Sequence, residues 1–263
     1  MGRLLVHLHL HYQDQTDFFL GLLSNITIPY ELVVTLTDDN PEVCDEILSR
    51  KPDARILHTH NCGYDVYPFF QAMKEYDLSR FDYILKLHTK NRNGNLTVNH
   101  LHYQDQGYGF RNNLVWPLLG SPKNFSRALD TIAASPQVGM VCSRYFLLKK
   151  EAHQNCKNTM KLCGEYGIPY QDDVPFCAGT MFLCRSEIVR FLLKNDYTPN
   201  DYGNQTHTGN TGTLAHSMET MFGIVCRHLG YEIKGVKGSC TNYSRVFFWK
   251  LLFHKDIRWI RSH

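Results

Sequence analysis

Three side chains that can carry or donate a proton stand two residues apart in Phe81–Lys90 (FDYILKLHTK): Lys86, His88 and Lys90. Side chains at this spacing point to one face of a strand, and the apolar residues between them predict that the segment is a buried strand. Grouped cations and hydrogen-bond donors can bind an anionic ligand such as a diphosphate. The alternative interpretation is a lysine whose ammonium group reaches solvent, followed by two solvated loop residues.

Acidic side chains follow two other predicted strands. Asp38 and Asp39 come directly after the second strand, where a carboxylate can accept hydrogen bonds from a nucleobase N–H or from ribose hydroxyl groups. One of them could instead cap the helix that begins after Asn40. Asp65 follows Gly63, which permits a close approach of the backbone to a ligand, and capping of the next helix is an equal alternative for Asp65.

Histidines recur in the first predicted strand and near the third: His7, His9, His11, His58 and His60. Imidazoles in such a row suggest zinc, but no cysteine or carboxylate accompanies them at the spacing of zinc ligands. We therefore expect no metal site. We interpret the row as a polar edge that contacts a nucleotide, with His11 and Tyr12 nearest to it.

The elements that must position these residues alternate along the first ninety residues. Apolar or alternating runs predict strands, and periodic apolar residues between them predict helices. The predicted strands are Arg3–His11, Tyr30–Thr37, Ala54–His58 and Phe81–His88, and the predicted helices are Asp14–Leu23, Pro41–Arg50 and Tyr67–Tyr76. This order predicts an α/β fold with a mostly parallel, Rossmann-like sheet and helices on both faces. The polar strand ends should meet at one edge of the sheet, where such folds bind nucleotides.

The second half of the chain is less regular. It contains predicted helices at Asn112–Leu119, Lys123–Ala134, Glu187–Leu193 and Leu214–Leu229, and predicted strands at Gly139–Ser143, Phe176–Arg185 and Tyr231–Val236. Glu151–Gln171 is a polar connection with a helical patch. Asn195–Thr213 has the Asn-, Gly- and Thr-rich composition of a mobile loop over a site.

Composition limits the class of protein. A chain of 263 residues that is 43% hydrophobic can bury one full core. A net charge of +3 fits a small anionic ligand or membrane headgroups, but not a dedicated nucleic-acid binder. Nine cysteines without a C-x-x-C pair predict free thiols in a reducing compartment. With no signal peptide and no apolar run of about 20 residues, we expect a cytoplasmic protein.

Several segments together carry a resemblance to a known family: HLHLHY, VTLTDDN, NCGYDVYPF, FDYILKLHTK, LLGSP, AGTMF and TLAHSMETMFG. They span roughly Leu5 to Gly235 and resemble a glycosyltransferase of the GT-A type, and more narrowly the rhamnan-synthesis protein F (RgpF-like) family. The resemblance implies transfer of a sugar, often a deoxyhexose such as rhamnose, from a nucleotide-sugar donor (a dTDP- or UDP-sugar). The implied acceptor is a glycan or lipid-linked glycan of a bacterial surface polysaccharide, such as rhamnan, O-antigen or capsule.

The resemblance also implies roles for individual residues. Many nucleotide-sugar transferases hold a divalent metal with an Asp-x-Asp motif at a strand end where this chain has Lys86, His88 and Lys90. We expect these three, helped by Arg92 and more distantly by Arg111, to meet the charge that develops on the departing diphosphate. Neither a divalent metal nor another cofactor would then be required.

The second half would supply the catalytic base. Inverting GT-A enzymes often present a carboxylate from this region to the acceptor hydroxyl. Glu219 fits that position, three residues after His216 on one helix face. A solvated helix carboxylate is the alternative interpretation, and Asp172 and Asp173 are second choices for the base.

The remaining predictions concern organisation. Small or short side chains of AGTMF would form a wall that lets a sugar approach closely: Gly179 and Thr180. Residues 1–240 form the predicted transferase domain, with a nucleotide-sugar half at 1–95 and an acceptor half at 96–240. Residues 241–263 carry five basic residues against one acid, which predicts a basic amphipathic helix that can make a peripheral membrane contact. A helix that packs on the domain is an equal alternative.

Two other classes remain open from the sequence. A sugar or nucleotide-sugar binding module without activity would also lack the Asp-x-Asp motif. A metal-dependent hydrolase could be built on the histidines. Transfer of a sugar to any acceptor would exclude the first class, and elemental analysis of the purified protein would test the second.

Overall fold

The computed structural model describes residues 2–92, 95–98, 101–104, 108–149, 156–203 and 213–238 of the chain. Within these ranges, strands β1 to β11 are Leu4–Leu10, Tyr30–Leu36, Arg55–His58, Tyr83–His88, Asn95–Val98, Leu101–Gln104, Val138–Ser143, Leu147–Lys149, Pro175–Cys177, Phe182–Arg185 and Glu232–Val236. Helices α1 to α9 are Thr16–Leu23, Pro41–Arg50, Val66–Lys74, Gly109–Leu119, Pro122–Ala133, Cys156–Glu165, Ser186–Leu192, Pro199–Tyr202 and Leu214–His228.

A seven-stranded sheet forms the centre of the fold, in the order β11-β7-β10-β4-β1-β2-β3. Every neighbouring pair is parallel except the two pairs that β10 makes, with β4 and with β7. The predicted α/β class with a mostly parallel sheet is therefore confirmed. Because β10 runs antiparallel to β4, the residues before β10 lie at the same sheet edge as the residues after β4.

Apolar side chains cover both faces of this sheet. Helices α3, α6, α7 and α9 pack over one face, and α1, α2, α4 and α5 pack over the other. Strand β1 shows the alternation, because Leu5 belongs to the first core while Leu4 and Val6 belong to the second. On the first face, the fully buried Lys86 lies 5.4 Å from the ring centre of Phe69. A cation is therefore built into that core.

The prediction of one strand over Phe176–Arg185 is wrong, because the chain turns within it. Pro175–Cys177 forms β9, which pairs with β8, and Phe182–Arg185 forms β10 in the central sheet. Between them, Gly179 and Thr180 have φ angles of 80° and 51°, in the left-handed region that a strand cannot contain. Both flanking segments contribute to the same core, so their apolar composition conceals the turn.

The predicted helix Pro41–Arg50 is confirmed at both ends. Asn40 occupies the N-cap, and its Oδ1 accepts a 3.3 Å hydrogen bond from the N–H of Val43. The predicted helix Leu214–Leu229 is confirmed to within one residue as α9. It is followed by Gly230, whose φ of 84° lets the chain leave the helix.

Some predictions fall on residues outside the described ranges. These are the middle of the predicted loop, 204–212, and the whole of the predicted C-terminal helix, 241–263. Among the helices that the structure does describe, none is long and apolar enough to cross a membrane. Seven of the cysteines in the described ranges are free thiols, and five of these seven are buried.

Candidate functional site

Asp65 lies at the centre of a buried group of polar side chains at the carboxyl edge of the sheet. Its Oδ2 accepts hydrogen bonds from Nζ of Lys86 and from Oγ1 of Thr180. Its Oδ1 lies 3.4 Å from Nε2 of His88 and 3.7 Å from Nζ of Lys90. Lys86 also donates to the carbonyl oxygen and the hydroxyl oxygen of Thr180, both at 3.2 Å. These five residues are called the Asp65 cluster below.

A strained turn positions Asp65 in this cluster. Gly63 and Tyr64 have φ angles of 63° and 51°. A Cβ atom at Gly63 would lie 2.6 Å from atoms of Tyr67 and Tyr202, so glycine is required there. Asp65 occupies the N-cap of α3, but its side chain makes no capping hydrogen bond. The capping alternative for Asp65 is therefore wrong, and the carboxylate serves the cluster instead.

The charges of the cluster follow from its burial. Burial raises the pKa of Asp65, but the charges of Lys86 and Lys90 and the hydrogen bond from Lys86 lower it by more, so that pKa lies well below its usual value. Burial lowers the pKa of Lys86, against the attraction of Asp65. Burial also lowers the pKa of His88 well below its usual value, so its ring is neutral at pH 7. One carboxylate thus faces two ammonium groups, and the end of β4 keeps a net positive charge.

Glu219 approaches the same edge from α9. Its Oε1 accepts a 2.6 Å hydrogen bond from the backbone N–H of Gly179. Burial raises the pKa of Glu219 to about 7, while the Gly179 N–H and the charge of Lys90 oppose the rise. Glu219 is therefore not the solvated helix carboxylate of the alternative interpretation. A carboxyl group that titrates near neutral pH is suited to proton exchange with a ligand.

His216 lies one helical turn before Glu219. Its Nδ1 is 2.7 Å from Oγ1 of Thr213, and its ring centre is 5.4 Å from that of Tyr64. Burial lowers the pKa of His216, and Asp65 partly counteracts this shift. His216 therefore connects the helix of Glu219 with the turn that precedes the Asp65 cluster.

Gln15, which has no distinguishing feature in the sequence, connects two of the predicted cations. Its Nε2 donates to the carbonyl oxygen of Lys90 at 2.7 Å, and its Oε1 accepts from Nη1 of Arg111 at 3.2 Å. The Arg111 guanidinium lies 3.5 Å from the ring centre of Phe18 and 4.0 Å from that of Tyr108. Burial lowers the pKa of Arg111 to about 10, so it stays protonated at neutral pH. Contact partners 75 and 96 positions away cannot be recognised from the sequence around Gln15.

The histidines of β1 divide between the core and the edge. His7 and His9 are buried and share the hydroxyl of Thr35, at 3.0 and 2.9 Å. Burial lowers the pKa of both, that of His9 to about 3, so both rings are neutral. His11 and Tyr12 are half-buried at the end of the strand, with ring centres 4.7 Å apart. This pair, rather than His7 and His9, lies where a ligand could reach it.

The aspartates after β2 are exposed. Neither caps α2, because Asn40 does so. Oδ1 of Asp39 lies 3.9 Å from Nε2 of His58. Together with Cys44, these two side chains form the one group of three potential metal ligands found in the described ranges, with their ligand atoms within 4.8 Å of one another. None of the β1 histidines belongs to that group, and Asp38 does not either.

Other predicted residues lie outside the arrangement around Asp65. Asp172 accepts a 2.8 Å hydrogen bond from the hydroxyl of Tyr170, and Asp173 pairs with Lys149 at 3.1 Å. Both aspartates are exposed and engaged at the surface, which makes them weaker candidates for a base than Glu219. Arg92 is exposed on the loop after β4.

A separate open groove of about 710 Å³ lies beside β11 at the edge of the sheet. Four basic side chains contribute to its lining: Arg127, Arg144, Lys234 and Lys237. Lys234 pairs with Glu232 at 2.6 Å. The predicted site residues do not line this groove, which is a basic surface distinct from the Asp65 cluster.

The solved structures that match this chain include those of TarS from S. aureus. The match to the structure of TarS residues 1–349 covers 96% of this chain and 66% of the TarS chain, at 10% identity and a TM-score of 0.46. The TarS structure in complex with UDP-GlcNAc aligns with 33% of this chain and 26% of that chain, at 15% identity and a TM-score of 0.28.

Sequence comparison gives a family. Two curated proteins named WxcX, both described as uncharacterized, come from two strains of Xanthomonas campestris pv. campestris and are 25% identical to this chain over 240 residues. The match covers 88% of this chain and 32% of each relative, so the chain spans about a third of their length. The family model for rhamnan synthesis protein F matches residues 1–231. On this match, which covers most of its length, the chain belongs to the rhamnan synthesis protein F family.

Proposed function

We propose that the chain is a glycosyltransferase of bacterial surface-polysaccharide synthesis. It would transfer rhamnose or a related hexose from a nucleotide-sugar donor to a glycan or lipid-linked glycan. Family membership supports the biological setting. One observation supports this chemistry. The positively charged end of β4, at Lys90, faces the Glu219 carboxyl group, whose pKa is about 7.

The end of β4 would take the place of a metal ion at the donor diphosphate. The side chain of Lys90 keeps 21% of its surface exposed, whereas Lys86 is fully buried. Lys90 would therefore meet the developing negative charge, with the exposed Arg92 nearby on the chain. Arg111 is buried and would act more distantly, through its hydrogen bond to Gln15. Lys86 and His88 would act indirectly, by holding Asp65. Because cations already occupy this strand end, we propose that transfer is independent of a divalent metal and of any other cofactor.

The nucleoside would bind beyond β1 and β2. The exposed Asp38 and Asp39 offer acceptors for base or ribose donors, and His11 and Tyr12 offer ring surfaces beside them. The half at 1–95 would thus hold the donor. The half at 96–240 would present the base and the acceptor, with Gly179 and Thr180 at the boundary between the two.

The proposed reaction is a single displacement. Glu219 takes the proton of the acceptor hydroxyl while that oxygen forms a bond to the anomeric carbon of the donor. The bond from this carbon to the diphosphate breaks, and its electron pair leaves with the nucleoside diphosphate. One displacement inverts the anomeric configuration. The Gly179 N–H fixes one oxygen of Glu219, which leaves the other oxygen to receive the proton.

Two measurements on the purified chain test this function. Thermal stabilisation by dTDP-rhamnose and by UDP-sugars should reach about 2.7 kcal/mol at 100 times Kd. Transfer to a rhamnose oligosaccharide should then proceed equally with EDTA and with manganese. Loss of transfer in EDTA with recovery in manganese would exclude metal independence. Donor binding without transfer to any acceptor would instead identify a binding module.

A further inference from the structure

Tyr64 is an aromatic residue that the fold presents to solvent beside the candidate base. It is 45% exposed, and the other large apolar side chains exposed in the described ranges, Leu48 and Met160, lie on helices α2 and α6. Tyr64 instead lies in the turn that leads directly into Asp65. Ligand sites are commonly lined by aromatic side chains beside a few polar groups, and Tyr64 stands in this relation to Asp65.

The backbone at Tyr64 is held in an unfavourable conformation. Its φ of 51° is rare for a residue with a bulky side chain, and it follows Gly63 in the same left-handed region. The turn is fixed from behind, because the carbonyl oxygen of Gly63 accepts hydrogen bonds from the N–H groups of Val66 and Tyr67 at 2.9 and 3.3 Å. Strain of this kind is retained where the surrounding structure imposes it, and it clusters at ligand sites.

The ring of Tyr64 is also placed against α9. Its centre lies 5.4 Å from that of His216, with 63° between the ring planes. The hydroxyl of Thr213 holds the other side of that imidazole at 2.7 Å. His216 is one turn before Glu219, so the aromatic surface and the candidate base belong to one wall of the site.

We infer that the Tyr64 ring is a stacking surface for the sugar ring of the acceptor, next to Glu219. This inference rests on the proposed function, because it takes Glu219 as the group that receives the acceptor proton. The C–H face of a pyranose is apolar and packs on an aromatic ring, and the methyl group of a 6-deoxy sugar extends that apolar face. A nucleobase could also stack on an aromatic ring. The groups that suit a nucleoside, Asp38 and Asp39, however, lie after β2 and not in the turn at Tyr64.

The test compares binding of a rhamnose oligosaccharide and of dTDP to the whole chain by isothermal titration. The substitution Tyr64→Asn removes the ring with a residue that tolerates the left-handed backbone, and Tyr64→Phe keeps the ring. Leu48→Ala, which truncates an exposed side chain on α2, is the matched control. We expect Tyr64→Asn to weaken oligosaccharide binding about tenfold, and Tyr64→Phe to change it less than about threefold. The Kd for dTDP should be unchanged in all three variants.

Transfer kinetics supply a second readout. Tyr64→Asn should raise the KM for the acceptor and leave kcat at saturating acceptor unchanged, a split that general misfolding would not produce. Weaker dTDP binding with unchanged oligosaccharide binding would place a nucleobase on Tyr64 and overturn the inference. Unchanged binding of both ligands would overturn it as well. Wild-type chain that binds dTDP but no oligosaccharide would overturn this inference alone, whereas wild-type chain that binds neither would overturn the proposed function too.

Discussion

At the scale of single residues, Glu219 and Asp65 show opposite effects of burial on carboxyl groups. Asp65 is buried and Glu219 is half-buried, and loss of water favours the protonated form of each. Asp65 has ammonium partners within 3.7 Å and stays ionised, whereas Glu219 has one backbone N–H donor and a pKa of about 7. One carboxylate is thus a fixed structural charge, and the other can change its protonation state in the neutral range.

The first prediction concerns Glu219 as a base. Glu219→Gln should lower kcat by about 10²- to 10⁴-fold and leave the Kd of the donor unchanged. Because burial raises the pKa of Glu219 to about 7, the wild-type rate should fall as the pH drops below 7, where the carboxyl group becomes protonated. Steady-state kinetics from acid to alkaline pH measure both effects. Glu42→Gln, at an exposed position of α2, should match the wild type. A wild-type profile that is flat through neutral pH would contradict the assignment.

The second prediction concerns the buried ion pair. Asp65→Asn should reduce the free energy of unfolding by about 3 to 5 kcal/mol, because Lys86 then stays buried without an opposite charge. Adding Lys86→Met should recover a large part of that loss, because the methionine fills the space without a charge. Urea unfolding of the single and double variants measures the difference. Equal stability of the two variants would show that the pair is not coupled.

Acidification provides a third, independent prediction for the same residue. The pKa of Asp65 is held well below its usual value, so the carboxylate stabilises the fold above an unfolded-state pKa of about 3.9. This contribution is lost as the pH falls through the lower, folded-state pKa. The stability gap between wild type and Asp65→Asn should therefore be constant near neutral pH and narrow in strong acid. A difference in stability between wild type and Asp65→Asn that widens as the pH falls would be inconsistent with the ion pair.

At the scale of elements, the turn between β9 and β10 determines where two site residues lie. It places the N–H of Gly179 on Glu219 and the hydroxyl of Thr180 on Asp65. Both residues have positive φ angles. A β-branched residue in this region is an outlier, so the strain at Thr180 is held by its contacts with Asp65 and Lys86.

The fourth prediction separates crowding from backbone strain at this turn. Gly179→Ala puts a Cβ atom 2.8 and 2.9 Å from the methyl groups of the buried Leu114, at a φ of 80°. Gly167→Ala is the matched control, because its φ of 66° is similar and no atom lies within 4 Å of the new Cβ. The control should lose about 1 kcal/mol of stability, and Gly179→Ala should lose about 2 to 4 kcal/mol. Thermal unfolding of both variants gives the comparison, and equal losses would exclude crowding by Leu114.

The sequence predicts the strands and helices better than it predicts the contacts within the site. The first four strands were predictable because each is an apolar or alternating run followed by a polar segment, as at Asp38-Asp39-Asn40. The turn inside Phe176–Arg185 was not predictable, because it depends on two residues, Gly179 and Thr180, in an otherwise strand-like segment. At the site, the common face of Lys86 and His88 follows from the period of a strand. The contacts of Asp65 with Lys86 and Thr180, across 21 and 115 positions, depend on sheet order, which the sequence does not contain.

At the scale of the whole molecule, the groove beside β11 gives this edge of the sheet a basic surface. The groove there is lined by Arg127, Arg144, Lys234 and Lys237, and the basic residues of the predicted C-terminal helix follow along the chain. We propose that this side of the molecule faces an anionic membrane surface, which would bring the site to a lipid-linked acceptor.

The fifth prediction tests that orientation. The chain should bind vesicles that contain phosphatidylglycerol, and binding should weaken as salt is added. Lys237→Ala should reduce the partition coefficient about fivefold, in line with about 1 kcal/mol for a cation near the membrane surface. Lys161→Ala, at an exposed position of α6, is the control and should leave binding unchanged. Equal binding to purely phosphatidylcholine vesicles would rule out an electrostatic contact.

The antiparallel strand β10 has a consequence for the synthesis of the protein on the ribosome. Lys86 is covered by a residue 94 positions later in the chain, so at about 5 to 20 residues per second its partner Thr180 is synthesised roughly 5 to 20 s after it. During that interval β4 is an open edge of a half-made sheet in which its neighbour β1 is buried along its whole length. A lysine in the middle of an open strand is what keeps such an edge from pairing with a neighbouring chain. The ammonium group that pairs with Asp65 would therefore also protect the nascent protein from aggregation until Thr180 covers it.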